Sequence, residues 1–156
     1  RCKEKCRDTF SKFQNWMNNN RDLSWTKDLP ACPCSIGCKK AGDNIGDGWF
    51  DLTDSLHGYH HGAKVCMRSS RQANGAANQC CYDSEGALIT HGEGAGSADR
   101  VSTGLFSYFG EDGHQGQDVH PADWAKECDG GIFGICSQKY LDFRPALNKN
   151  DCQKNP

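Results

Sequence analysis

Gln79-Cys80-Cys81-Tyr82-Asp83-Ser84-Glu85-Gly86-Ala87-Leu88-Ile89-Thr90 is the stretch from which the rest of the chain can be ordered. Its arms, Gln79 to Tyr82 and Ala87 to Thr90, flank the polar turn Asp83-Ser84-Glu85-Gly86. There Gly86 is free to take a positive φ, so the segment predicts a β-hairpin. On the N-terminal side, Ala63-Lys64-Val65-Cys66-Met67-Arg68 alternates in type and predicts another strand. On the C-terminal side, residues 91–117 are glycine-rich and lack periodicity. They predict a long surface loop carrying the aromatic patch Phe106, Tyr108 and Phe109, and long ordered loops tend to carry function.

Helices are predicted at both ends. Cys6, Phe10, Phe13 and Met17 share one helical face, Trp16 widens it, and the run Asn18-Asn19-Asn20 stops it. His120-Pro121-Ala122-Asp123-Trp124 starts a short helix with proline in its first turn, and Gly130-Gly131 ends it. The segment from Cys136 to Cys152 predicts one more short helix. Between these ends, Leu29-Pro30-Ala31-Cys32-Pro33-Cys34 is stiffened by two prolines and holds its thiols on a rigid extended segment.

The chain has 156 residues, of which 11 are cysteine and only 36% hydrophobic, so cross-links are expected to supplement a lean core. Such cysteine usage points to an oxidising compartment and a secreted, extracellular protein. No window of 18 apolar residues predicts a membrane span. The polar start, already carrying Cys2 and Cys6, is expected to be that of a mature chain without a signal peptide. Residues 1–42 hold nine Lys/Arg against four Asp/Glu, and residues 85–129 hold two against nine. The basic excess is too spread for a nucleic-acid stripe, so no nucleic-acid partner is expected.

The motifs that could carry chemistry are few. Cys34 and Cys38, with Cys32, have zinc-like spacing but no matching second pair, so disulfides are the expected use. The acids and glycines of residues 42–54 imitate a calcium loop, yet counting from Asp43 the third position is Ile45 and the twelfth is Asp54, which predicts an ordinary turn. His57, His60 and His61 lie within five residues, with His120 in a second loop, and form the candidate metal or catalytic cluster. No cofactor is expected from this pattern, while a bound metal ion at that cluster stays open. The odd cysteine count leaves one sulfur for a free thiol or for oligomerisation through an intermolecular bond. No Gly-x-Ser-x-Gly supports a serine hydrolase, and no Asn-x-Ser/Thr acceptor is present.

The order of features has a family resemblance. Trp25, Leu-Pro-x-Cys-Pro-Cys at 29–34, Tyr-His-x-Gly-Ala at 59–63, Cys66 with Arg68-Ser69, Cys80-Cys81-Tyr82-Asp83, Leu88-Ile89-Thr90, Gly94-Ala95-Gly96, Asp118-Val119, Cys136, Tyr140, Arg144-Pro145 and Cys152 together resemble the AMOP domain, the adhesion-associated module of surface proteins. The second half is most similar to the AMOP domain of the isthmins. The resemblance covers residues 25–156, which leaves residues 1–24 as an N-terminal helical extension. His61 stands where the family's Tyr-His-Pro-Gly has proline, residues 114–119 are rewritten, and no Arg-Gly-Asp occurs.

That resemblance implies an α+β fold: a small disulfide-rich extracellular domain with a short antiparallel sheet, an N-terminal helix, short C-terminal helices and long loops. It implies structural disulfides among Cys32, Cys34, Cys66, Cys80, Cys81, Cys128, Cys136 and Cys152, and no catalytic residues. Cys2, Cys6 and Cys38 are left over, and are expected to form one extra disulfide holding the first helix plus one odd thiol. The leading expectation for function is a binding module for cell-surface or matrix adhesion or signalling, with an extracellular protein or glycan partner. Phe106, Tyr108 and Phe109 and the acidic face of residues 85–129 are its candidate contacts. The alternatives are a secreted metal- or small-ligand-dependent enzyme centred on His57, His60, His61 and His120, and a structural matrix component cross-linked through the odd cysteine.

Overall fold

The computed structural model describes residues 2–40, 42–43, 46–53, 59–103, 108–148 and 152, with backbone only for residues 2–6. The order of elements is α1 (Cys2–Asn19), β1 (Trp49–Asp51), β2 (Val65–Ser69), β3 (Ala77–Tyr82), β4 (Ala98–Asp99), α2 (His120–Cys128) and α3 (Ile135–Phe143). The strands form one four-stranded antiparallel sheet in the order β1-β2-β3-β4, so the α+β expectation holds.

Consecutive strand residues point to opposite faces, and β3 uses this to place its two adjacent cysteines on opposite sides of the sheet. Cys80 bonds Cys32 in a core with Ile36, Val65, Met67, Tyr82 and Leu88. Cys81 bonds Cys66, its register partner on β2. The third disulfide, Cys34–Cys152, joins residues 118 positions apart. Cys136, at the start of α3, makes no disulfide with a cysteine whose side chain is described. Cys128 closes α2 and is partly buried. Cys38 is exposed, whereas the side chains of Cys2 and Cys6 lie outside the description, as does the extra disulfide expected of them.

The hairpin turn forms as predicted. Gly86 has φ +77° and its N–H donates to Asp83 O, while the Asp83 carboxylate accepts the N–H groups of Glu85 and Ala87. The returning arm makes a bridge from Leu88 to Tyr82 instead of a full strand, because Leu88 N–H donates to Cys34 O and so ties the arm to the cysteine-bearing segment. Likewise the carboxylate of Asp51 is used up by Thr53 and the Gly42 N–H, which makes the acidic stretch a hydrogen-bonded turn.

Helix α1 faces inward through Thr9, Phe13, Trp16 and Met17, so the predicted face holds there, whereas Phe10 is exposed at its edge. Phe13 and Trp16 pack with Ala125 of α2 and Tyr140 of α3 to form a second core. The reading of residues 91–117 as a surface loop is corrected for its first third: every residue from Gly94 to Asp99 is buried. Glycine permits this approach, since a Cβ at Gly96 would stand 2.1 Å from Gln79 O. β4 thereby completes the sheet, and its Ala98 N–H donates to Arg144 O just past α3, which locks the helical half to the strands.

Candidate functional site

Where the sheet meets the helices, a cavity of about 430 Å³ opens above the face of β3 that carries Gln79. Arg68 enters it from β2, Asp99 from β4, and His114 and Asp118 from the turn that leads into α2, of which Gln115–Val119 is a π-helical turn. Such irregular turns recur at functional sites because they redirect side chains out of the regular helical ladder.

Asp118 is the hub. Its Oδ1 accepts the Arg100 backbone N–H at 2.7 Å and Arg144 Nη1 at 2.8 Å. Its Oδ2 accepts the Val101 N–H at 3.0 Å and His114 Nδ1 at 3.2 Å. The Arg144 guanidinium lies between two indoles, 4.9 Å from the Trp16 ring and 4.8 Å from that of Trp25, and these faces stand where its remaining N–H groups find no acceptor. Asp99 pairs with Arg68 at 2.9 Å, and Arg68 Nη1 also donates to Thr103 Oγ1. Two buried carboxylates thus face two buried guanidiniums, so the network is close to neutral. Burial pushes the Asp99 carboxyl up and the nearby Asp118 charge adds to this, against the pull of Arg68.

Asp99, His114 and Asp118 hold ligand-type atoms within 4.8 Å of one another, the only such group among the described residues. Their chemistry does not fit a cation. His114 Nδ1 is 2.7 Å from Val101 O, a carbonyl that accepts only, so this nitrogen carries a proton and not a free lone pair. Both Asp118 oxygens already take two donors each, and two arginines supply the positive charge an ion would bring.

Both buried histidines are anchored through Nδ1. His60 Nδ1 lies 2.6 Å from Ala95 O, which fixes its tautomer in the same way, and both rings line the cavity. The Gln79 side chain adds a second hydrogen bond to the His60 ring. Burial holds His60 below the ordinary imidazole value. Burial acts the same way on His114, but the Asp118 hydrogen bond and the charges of Asp99 and Asp118 outweigh it and hold that ring above the ordinary value. His60 is also the one non-glycine residue described with a left-handed backbone, at φ +54°.

Aromatic rings frame this polar interior. Tyr59 and Tyr108 line it while remaining 41% and 37% exposed, so they form its mouth. Tyr59 donates to Asp123 Oδ1, and burial together with that carboxylate pushes its phenol up to about 12. Phe109 packs edge-on against Tyr108 at 4.9 Å and is exposed. A smaller hollow of about 80 Å³ shares Tyr59, His60, Ala122 and Tyr140 with the cavity and is otherwise lined by Ala95, Phe133 and Leu141 together with Glu93, Asp123, Lys126 and Ser137.

Among the described residues the expected histidine cluster is not brought together. His61 and His120 are exposed and share no ion-sized group with His60, while His57 lies outside the described residues, as does Phe106 of the aromatic patch. The acidic face of residues 85–129 is corrected in part, because Asp99 and Asp118 are buried in ion pairs. Arg68, Asp99, His114 and Arg144 escaped notice as a site because 76 positions separate the first from the last. The one local signal was the i, i+4 spacing of His114 and Asp118, which places both side chains on one side of a helical turn.

The family model of the AMOP domain matches residues 8–129, so it reaches into α1 as well as across the sheet and α2. No solved structure matches the chain.

Proposed function

The chain belongs to the AMOP family, adhesion-associated extracellular domains, and from that premise we propose that it is a secreted binding module whose cell-surface or matrix partner seats in the cavity framed by Tyr59 and Tyr108. The observation that carries this reading is the cavity of about 430 Å³ itself, lined by His60 and His114 and flanked by the partly exposed rings of Tyr59 and Tyr108. Concave sites that combine apolar walls with a few convergent polar groups are the usual places for a ligand or partner to seat. Partly exposed aromatics are favoured anchors at recognition surfaces. A role without catalysis is supported by the carboxylates, which are consumed by arginines and so poorly placed to act as bases.

Disulfides support an oxidising location, and no helix among the described residues is long and apolar enough to cross a membrane. The test is cell binding by the oxidised domain, read by flow cytometry. Tyr108→Ala should weaken binding about tenfold while leaving the circular dichroism spectrum unchanged. Binding as tight as that of the unsubstituted domain would overturn the assignment of this cavity.

A further inference from the structure

We propose that Cys6 of α1 and Cys128 of α2 form a disulfide, further to the three described, that fastens the first helix covalently to the rest of the helical half. Such a bond is independent of where the partner seats.

The three helices share a common level at one end. Trp16 of α1 packs its ring against that of Tyr140 of α3 at 5.7 Å, and the Tyr140 hydroxyl donates to Asp118 O in the turn entering α2. Ala125, further along α2, lies in one cluster with Phe13 and Trp16, so moving back along α1 accompanies moving forward along α2. Beyond α2, the Asp129 carboxylate accepts the N–H groups of Cys136 and Ser137 and turns the chain back into α3. α1 therefore runs antiparallel to α2 and parallel to α3. At 1.5 Å per residue, Cys6 stands about 15 Å before Trp16 and Cys128 about 15 Å after Asp118, which makes the two cysteines level. Cys136 stands only about 6 Å before Tyr140, level with the turn of Phe13, and packs against that cluster. Cys2 stands about 21 Å before Trp16, past the last turn of α2.

The faces agree with the levels. Cys6, Thr9, Phe13 and Trp16 recur at intervals of three and four residues and share one face, of which Thr9, Phe13 and Trp16 are buried. On α2 Pro121, Ala125 and Cys128 do the same, and Pro121 and Ala125 are buried. Small residues such as Thr9 and Ala125 on these faces favour the short end of the interaxial range of about 8–10 Å, which brings facing Cα atoms within the roughly 4.4–6.8 Å that a disulfide spans. The other partners fit less well. Cys2 and Cys6 are four residues apart on one helix, where Cβ atoms are about 5–6 Å apart, wider than the roughly 3.5–4.5 Å of a disulfide. Cys38 is exposed and follows Ile36, which belongs to the core of the sheet.

Formation needs an oxidant, here the disulfide of an exchange protein in an oxidising compartment. The thiolate of one cysteine attacks it, giving a mixed disulfide and one thiol, and the second thiolate then displaces the other sulfur. Two electrons and two protons thus pass to the exchange protein, which leaves as a dithiol.

The test is peptide mapping of the whole chain, folded under oxidising conditions, alkylated at acid pH to stop exchange, digested without reductant and read by mass spectrometry. A peptide pair joining Cys6 to Cys128 should appear and vanish on reduction. Cys6→Ser should release one new alkylatable thiol at Cys128, Cys128→Ser one at Cys6, and Cys136→Ser should leave the pair in place. Linkage of either cysteine to any other, alkylation of Cys6 in the unreduced, unsubstituted chain, or loss of the pair in Cys136→Ser would overturn the proposal. The map of the unsubstituted chain decides the matter even where a serine variant fails to fold.

Discussion

Arg144 Nη1 donates to Asp118 Oδ1 at 2.8 Å with both side chains all but closed to solvent, and the same guanidinium is held between Trp16 of α1 and Trp25. One side chain thus joins the first helix, the segment after it, the turn before α2 and the end of α3. Removing it leaves the Asp118 charge buried with three donors instead of four. Arg144→Met should therefore lower stability by about 3–5 kcal/mol, as measured by urea unfolding under oxidising conditions. Arg144→Lys should recover only part of this, because an ammonium lacks the flat faces that lie against the two indoles. Full recovery with lysine would show that charge alone matters here.

The histidines of the cavity predict opposite pH responses. His114 sits above the ordinary imidazole value in the fold, so its stabilisation is complete below the unfolded value of about 6.5 and is lost as pH rises through the folded value. His60 sits below that value, so its contribution runs the other way and weakens as the solution is acidified. The stability difference between the unsubstituted domain and His114→Gln should be largest near pH 5.5 and shrink toward pH 8 (both about). Urea midpoints at constant ionic strength measure it, and a difference that grows with pH would contradict the geometry around Asp118.

Glycine positions separate steric need from backbone need. A methyl at Gly96 would stand 2.1 Å from the carbonyl of Gln79, part of β3 and unable to move aside. Gly96→Ala should cost about 3 kcal/mol or more and disturb the edge that β4 supplies. Gly131 has φ +90° and open space around it, so Gly131→Ala should cost only about 1 kcal/mol. Thermal unfolding of the two variants should therefore differ clearly, and equal midpoints would refute the close approach of residues 94–99 to β3.

The disulfides should differ in exposure and in worth. Cys34 and Cys152 are partly exposed, whereas Cys66, Cys80 and Cys81 are fully buried. Limited reduction of the native domain, followed by alkylation and mass mapping, should open Cys34–Cys152 first. Its loop of 118 residues gives a chain-entropy contribution of about 5 kcal/mol, against about 3 for the 15-residue loop of Cys66–Cys81. First reduction of a buried pair would indicate that opening of the sheet precedes loss of the long staple.

Local patterns were legible in the chain to the extent that they depend on near neighbours. The turn at Gly86, the proline-started α2 and the strand at Val65 each follow from a few adjacent residues. On α1, Phe13, Trp16 and Met17 pack on the core as their spacing predicts, whereas Phe10 does not, because it is as apolar as Phe13 and only the position of Ala125 and Tyr140 decides which side is covered. Residues 94–99 read as loop because glycine, serine and alanine carry little hydrophobic signal, though their small size is what admits them to the sheet. The site was the least legible part. Its histidine-rich stretch near residue 60 contributed one ring, while His114, Asp99 and the arginines arrive from separate elements through long-range pairing.

The bond between Cys34 and Cys152 also governs how the domain would behave under tension. A pull applied ahead of Cys34 and at Cys152 travels through the sulfur–sulfur bond and leaves the intervening 118-residue loop unloaded. The sheet, the cavity and most of the helical contacts fall inside that shielded loop, so an adhesive grip built on them need not loosen when the tether is stretched. Only α1 and the segment up to Cys34, which includes the Trp16 and Trp25 contacts to Arg144, would feel the load directly.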